Sequence, residues 1–136
     1  MCKLLMIDDN QMDHFIMQRL FKHCQLFKDN DYSEDGRLSL NTLRKNHSDE
    51  KNLPDLILLD LNMPNFSGWD FLTQFQKLYP KLKKKIDVVI VSSSFNPVDI
   101  LKSKSYSFVK QFITKPVSIE VLESLNRLYK GKKVQN

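Results

Sequence analysis

The feature that most constrains the fold is an unbroken apolar run, Leu56–Leu59, which stops at the carboxylate of Asp60. Pro54 and Pro64 bound this segment on its two sides. An apolar run of strand length without alternation is typical of a strand buried on both faces, as in parallel sheets covered by helices. The end of such a strand lies at the carboxyl edge of the sheet, where α/β folds bind their ligands. Because a charge is costly inside a sheet and cheap at its rim, Asp60 suits chemistry better than packing.

The rest of the chain alternates between strand and helix signals. We predict five strands, over residues 3–7, 26–34 (partly polar, as suits a sheet edge), 56–59, 86–91 and 108–114. A helix follows each strand, and the first, over residues 11–24, has four apolar residues at helical spacing: Met12, Phe15, Ile16 and Leu20. Gly36 is expected to break the chain before the second helix, and Gly131 to end the last one before a short basic tail. This order predicts a single α/β domain over residues 1–136 with a core of about 3–130, parallel strands, right-handed crossovers and helices on both faces.

Composition excludes several classes of protein. The 136 residues are 41% hydrophobic and 27% charged, as in a soluble globular domain, and no apolar stretch approaches the length of a membrane span. Cys2 and Cys24 match no metal-site spacing, so we expect reduced thiols in a cytoplasmic protein without a signal peptide. The net charge of +5 comes partly from lysine clusters without interleaved aromatic residues, which indicates a solvated surface rather than direct nucleic-acid binding.

Polar residues follow four of the predicted strands at the point where each strand ends: Asp8 and Asp9, Asp60, Ser92 and Lys115. Because the carboxyl ends of parallel strands meet at one edge of a sheet, we expect these side chains to converge. Three neighbouring carboxylates repel one another unless a cation intervenes, and oxygen ligands favour Mg²⁺. A carboxylate beside a metal and a lysine can act as a nucleophile toward phosphorus, with the ammonium and the hydroxyl neutralising the phosphoryl group.

The chain resembles the receiver domains of two-component response regulators over about residues 3–130. Four short motifs carry the resemblance: Ile7-Asp8-Asp9-Asn10, Leu59-Asp60-Leu61-Asn62-Met63-Pro64 followed by Gly68, Val91-Ser92-Ser93, and Lys115-Pro116. The resemblance implies a flavodoxin-like, doubly wound sheet with strand order 2-1-3-4-5. That order would make the acids of the first and third strands neighbours.

The resemblance also assigns roles in the acidic site. It implies that Asp60 is the phosphoacceptor, receiving a phosphoryl group from a phosphohistidine of a histidine kinase or a phosphotransfer protein. Asp9 would bind Mg²⁺ directly, and Asp8 would contribute to the same site, often through water. Asn62 would supply its backbone carbonyl as a ligand, while its side chain lies over the site and tunes dephosphorylation.

Three further residues are implicated in phosphate binding and switching. Lys115 matches the phosphate-binding lysine, Ser92 the switch hydroxyl and Phe112 the switch aromatic, although the family more often has Thr where Ser92 stands. Residues 104–108 also lack the small residue pair usual before the fifth strand. The resemblance implies that phosphorylation changes the face formed by the fourth helix, fifth strand and fifth helix, which would bind a target protein, with the chain a monomer or a phosphorylation-dependent dimer.

Other interpretations stay open at this point. A strand-end serine often satisfies only backbone groups, an aromatic residue in a strand is more often core, and Asp8 and Asp9 could simply cap the first helix. A haloacid-dehalogenase-like phosphatase also uses an aspartyl nucleophile, but it needs a second acid where this chain has Asn62. A DNA-binding regulator and a receiver that works unphosphorylated are further alternatives. We expect a stand-alone receiver that is not an enzyme and acts through a partner protein or a relay.

Overall fold

The computed structural model describes residues 2–94 and 96–134, with only the backbone of residues 131–134. Within that range, strands and helices alternate: β1 Lys3–Ile7, α1 Gln11–Cys24, β2 Asp29–Ser33, α2 Gly36–Lys45, β3 Leu56–Leu59, α3 Gly68–Leu78 (continued by a 3₁₀ turn, Tyr79–Lys81), β4 Asp87–Ser92, α4 Pro97–Ser103, β5 Val109–Thr114 and α5 Ile119–Val134. The strands form one parallel sheet in the order β2-β1-β3-β4-β5. This confirms the predicted flavodoxin-like fold.

The two faces of the sheet bury different helices, so the sheet is the middle of three layers. On one face, α2 and α3 pack on the strands through a cluster that includes Leu40, Leu43, Phe71, Leu72 and Phe75. On the other face, α1 and α5 do so through a cluster that includes Met17, Phe21, Leu122, Leu125 and Tyr129. The apolar residues Phe71, Leu72, Phe75 and Leu78 of α3 are all buried in this core.

The central strand β3 positions the polar edge of the sheet. All four of its residues are buried, as the unbroken apolar run predicted. Leu59 lies opposite Ile7 of β1 and Ile90 of β4, so the three strands end nearly level. The residues that follow them therefore leave the sheet side by side.

The helix α1 has the predicted bounds, but the apolar spacing does not mark its buried side. Met12, Phe15 and Ile16 are 61%, 52% and 50% exposed. The buried residues are instead His14, Met17 and Phe21, which share the other face. Because α1 carries apolar residues on two faces, periodicity identifies the helix without fixing which face packs on the sheet.

Two glycines do not end or break elements as predicted. Gly36 is the first residue of α2, directly after the N-cap Asp35. The helix α5 continues through Gly131 to Val134, since no described glycine has the positive φ of a helix-terminating cap. A glycine inside a helix costs about 1 kcal/mol relative to Ala but does not stop it.

Neither α5 nor any other helix of the described ranges is long and apolar enough to cross a bilayer.

Candidate functional site

Three carboxylates lie together at the carboxyl edge of the sheet. One oxygen from each of Asp8, Asp9 and Asp60 lies within 4.8 Å of the others. Asp8 and Asp60 are buried and Asp9 is exposed. The backbone fixes the two buried acids, because the Asp60 N–H donates to the Ile7 carbonyl at 3.0 Å and the Asp8 N–H to the Ser33 carbonyl at 3.0 Å. The backbone hydrogen bonds of the sheet thus continue past the strand ends and hold Asp8 and Asp60 in the cluster.

The turn after β1 holds its acids through a helix cap. Asp8 Oδ1 accepts the Asn10 N–H at 2.9 Å, and Asn10 Oδ1 accepts the Met12 N–H at 2.9 Å as the N-cap of α1. The His14 ring on the buried face of α1 pairs through Nε2 with the Asp8 carbonyl oxygen. These bonds bring the first turn of α1 directly beside the carboxylates.

The loop after β3 folds back closely because residue 68 is glycine. A Cβ there would lie 2.5 Å from the Asp60 carbonyl oxygen and 2.7 Å from Leu61 Cα, which is too close for any side chain. The Gly68 N–H instead donates to the Leu61 carbonyl at 3.0 Å. The start of α3 therefore buttresses the backbone of Asp60, and Gly68 has a steric reason to be part of the motif.

Lys115 faces the acids from the end of β5. Its Nζ lies 2.7 Å from Asp13 Oδ2, 3.0 Å from Asp8 Oδ2 and 3.8 Å from Asp60 Oδ1. Its backbone N–H donates to the Ser92 carbonyl at 2.8 Å, which ties the end of β5 to the end of β4. Lys115, although more than a hundred positions from Asp8 and Asp13 in the sequence, thus lies within ion-pair distance of Asp8, Asp13 and Asp60.

Electrostatics show that negative charge is in excess here. Burial, together with the charge of Asp60, raises the pKa of Asp8 to about 6, despite hydrogen bonds from the Asn10 N–H and Lys115. Burial also acts to raise the pKa of Asp13, but the hydrogen bond and charge of Lys115 outweigh it and hold that pKa below its usual value. For Lys115, burial is outweighed by the bonds to Asp13 and Asp8, so its pKa is raised. One ammonium does not balance this set of carboxylates, and the oxygen donors fit a small divalent cation.

Hydroxyl and amide groups line the β4 side of the site. Asn62 Nδ2 donates to Ser92 Oγ at 3.4 Å and to Ser93 Oγ at 3.3 Å. Ser92 Oγ, which is fully buried, also accepts the Ser94 N–H at 3.1 Å. The Asn62 N–H donates to Asp60 Oδ1 at 3.2 Å. Phe112 lies apart from this group, half-buried in β5 against the α2–α3 side of the core.

One residue of the site was missed by the sequence analysis. Asp13 makes the shortest ion pair of Lys115, yet it belongs to none of the four receiver motifs. A signal was present, since Asp13 lies only four residues after Asp9 and in the first turn of the predicted helix α1. Only the orientation of α1 about its axis shows that this turn faces Lys115.

Comparisons with known proteins agree with this geometry. The family model of the response regulator receiver domain matches residues 4–126. The response regulator Rcp1 of Synechocystis is 31% identical over 101 residues, which are 74% of this chain and 67% of Rcp1. The crystal structure of its Mn²⁺-bound form covers 93% of this chain and 90% of that one, with 26% identity and a TM-score of 0.71.

Two other relatives extend the comparison. The crystal structure of the phosphorylated cyanobacterial phytochrome response regulator RcpA has 28% identity and a TM-score of 0.70, covering 95% of this chain and 91% of that one. The two-component response regulator ARR12 of Arabidopsis thaliana is 27% identical over 90% of this chain, which spans only 19% of ARR12. Relatives of the chain thus include both single-domain-sized and much longer proteins.

Proposed function

The chain belongs to the response regulator receiver domain family, and on that premise we propose that Asp60 is its phosphoacceptor. The phosphodonor is a phosphohistidine of a histidine kinase or a histidine phosphotransfer protein, the partners that the family implies. The observation that supports this best is the gathering of Asp8, Asp9 and Asp60 opposite Lys115 at one sheet edge. The family is a signalling family rather than a class of enzymes, and we infer a signalling role here.

The proposed reaction is a phosphoryl transfer to a carboxylate. An oxygen of Asp60 attacks phosphorus, the P–N bond to the donor imidazole breaks, and the imidazole leaves with the electron pair. The product is a mixed anhydride on Asp60, which carries two negative charges. Lys115, whose ammonium lies 3.8 Å from Asp60, neutralises part of the charge that accumulates on the phosphoryl oxygens.

A divalent cation, Mg²⁺ in the cell, fits the same edge. Asp8, Asp9 and Asp60 would hold it with carboxylate oxygens and Asn62 with its backbone carbonyl. When bound, the cation supplies charge neutralisation between the carboxylates and the incoming phosphoryl group. The raised pKa of Asp8 supports this assignment, because it reflects burial and repulsion from Asp60 that a cation would relieve. The Mn²⁺-bound form of Rcp1 is consistent with a divalent-metal site in this family.

The proposed switch uses Ser92 and Phe112. Ser92 Oγ would leave Asn62 and Ser94 to donate to a phosphoryl oxygen. Phe112, half-buried in β5, would turn inward into the space that is vacated. The change shifts an equilibrium between two arrangements of the β4–β5 edge, biased by one covalent anion. The amide of Asn62, which contacts both Ser92 and Ser93, would tune how fast the phosphoryl group is hydrolysed.

Two exposed apolar surfaces suit the two kinds of partner. Val98 and Leu101 of α4 are exposed beside β5, and we assign this side, with β5 and α5, to the target protein. Phe15 and Ile16 are exposed on α1, the helix whose first turn carries Asp13, and we assign them to the phosphodonor that must approach Asp60. We also infer a cytoplasmic location, because Cys2 and Cys24 form no disulfide with each other, as is usual for proteins of a reducing compartment.

The experiment uses acetyl phosphate as donor in the presence of Mg²⁺, followed by intact-mass measurement. We expect the mass of one phosphoryl group to be added, to be removed by hydroxylamine as an acyl phosphate requires, and to be absent when a chelator is present. Asp60→Asn should abolish the addition, whereas the control Asp31→Asn, on the exposed side of β2, should not. An unchanged mass of the wild type, or equal labelling of Asp60→Asn, would overturn the proposal.

A further inference from the structure

The lysine of the site is held most closely by an acid that the motifs do not include. The Lys115 ammonium lies 2.7 Å from Asp13, whereas Asp60, the proposed phosphoacceptor, is 3.8 Å away. An ammonium has three donors, and Asp13 and Asp8 accept two of them. Lys115 is therefore engaged mainly with residues that the proposed transfer does not modify.

Asp13 is held firmly in its place. It lies in the first turn of α1, where its N–H donates to the carbonyl of the N-cap Asn10 at 3.1 Å. The turn between β1 and α1 is fixed in turn by the bond from the Asn10 N–H to Asp8. The carboxylate of Asp13 is thus presented to Lys115 by the same short segment that carries Asp8 and Asp9.

We propose that Asp13 is a positioning residue that competes with the phosphorylated Asp60 for the ammonium of Lys115. This inference rests on the proposed function. In the unphosphorylated protein Asp13 keeps Lys115 back from Asp60, and the dianionic phosphoryl group must draw it away. Asp13 thereby sets how readily the phosphorylated state forms.

Burial indicates which contact of Lys115 is given up. The Asp13 side chain is 27% exposed, so water can hydrate its carboxylate after the lysine leaves. The Asp8 side chain is only 2% exposed, so water cannot take the place of the lysine there as it can at Asp13. Lys115 therefore pivots from Asp13 toward Asp60 while its contact with Asp8 is kept.

The test compares initial rates of phosphorylation by acetyl phosphate at saturating Mg²⁺, followed by intact mass. Asp13→Asn should raise the rate roughly fivefold, the order of magnitude of a partly exposed ion pair. Asp13→Ala, which removes the carboxylate without leaving an amide, should raise the rate as well. Asp13→Glu restores the carboxylate on a side chain one methylene longer and should return the rate toward that of the wild type. Glu120→Gln removes an acid from the first turn of α5 and should leave the rate unchanged.

A double-mutant cycle shows whether Asp13 acts through Lys115. In a Lys115→Met background, Asp13→Asn should have no further effect, because the residue for which it competes is gone. A persisting increase would mean that Asp13 acts through the overall charge of the site, and would overturn the proposal. If Lys115→Met takes up no phosphoryl group, the comparison of Asp13→Asn with the wild type decides alone.

The two proposals fail in different ways. If the wild type gains no phosphoryl group, the phosphoacceptor assignment itself is wrong. If the wild type is phosphorylated but Asp13→Asn and Asp13→Ala are no faster, Asp60 remains the acceptor and Asp13 is only a structural partner of Lys115.

Discussion

Acidic side chains lie at both edges of the sheet, but the groups that they pair with are different. At the amino edge, Asp87 Oδ2 accepts the Tyr129 hydroxyl at 2.7 Å, and the carboxylate of Asp55 lies 3.1 Å from the Lys84 ammonium. At the carboxyl edge, Asp8, Asp60 and Asp13 share the ammonium of Lys115.

The difference separates acids that connect elements of the fold from acids to which we have assigned a part in phosphoryl transfer. Asp55 also accepts the Lys3 N–H at 2.8 Å, so its two oxygens are engaged by two donors from different segments. Such acids behave as fixed cross-links between elements. Where several carboxylates compete for one cation, the folded chain keeps a surplus of negative charge that a bound cation would relieve. Stability measurements can therefore distinguish the two kinds of acid.

The largest effect is expected at the amino edge. Tyr129→Phe removes a hydroxyl that donates to Asp87, which is only 3% exposed, and should lower the free energy of unfolding by about 2 kcal/mol. Asp87→Asn should destabilise by about 1 kcal/mol, since the amide oxygen can still accept but its NH₂ group needs a new partner. Urea denaturation measures both. Stability unchanged in both variants would contradict the view that this pair cross-links α5 to β4.

The same substitution at the carboxyl edge should have the opposite sign. Asp8→Asn removes one charge from the crowded site while keeping an oxygen for the Asn10 N–H, so we expect about 1 kcal/mol of added stability at neutral pH without metal. Mg²⁺ should raise the melting temperature of the wild type and raise that of Asp8→Asn much less. Destabilisation by Asp8→Asn in chelator would remove the distinction between the edges.

The smallest effect concerns alkaline pH. Burial, then the bond to Asp87, raises the pKa of Tyr129, and burial, then the charge of Asp31, raises that of Tyr32 to about 12. Because both lie above the ordinary value of 10.0, the stability from the neutral phenols is complete below pH 10 and is lost as the pH rises toward about 12. Urea midpoints across this window should fall, and fall less in Tyr129→Phe. An equal decline in that variant would assign the loss to other groups.

Much of the fold can be predicted from patterns along the sequence. Unbroken apolar segments such as Leu56–Leu59 identify buried parallel strands, and the alternation of elements leaves few possible topologies. Gly131 shows the limit of such patterns, because a glycine ends a helix only if its backbone turns left-handed, and the residue type alone does not decide that conformation.

The residues of the candidate site also divide into those whose position could be predicted from the sequence and those whose position could not. Residues at strand ends, such as Asp8, Asp60 and Lys115, could be placed at one edge because the sheet fixes both the position and the level of its strands. The rotation of α1 about its axis could not be predicted from its two apolar faces. For that single reason the sequence revealed neither the exposure of Phe15 nor the approach of Asp13 to Lys115.

The hydrogen bonds that restrain Ser92 have a consequence for signalling at rest. Asn62 donates to Ser92 Oγ at 3.4 Å, toward the long end for such a bond, and the Ser94 N–H donates at 3.1 Å. Both bonds are made to the Oγ that would have to reorient in the proposed switch, so strengthening either of them should favour the unphosphorylated arrangement.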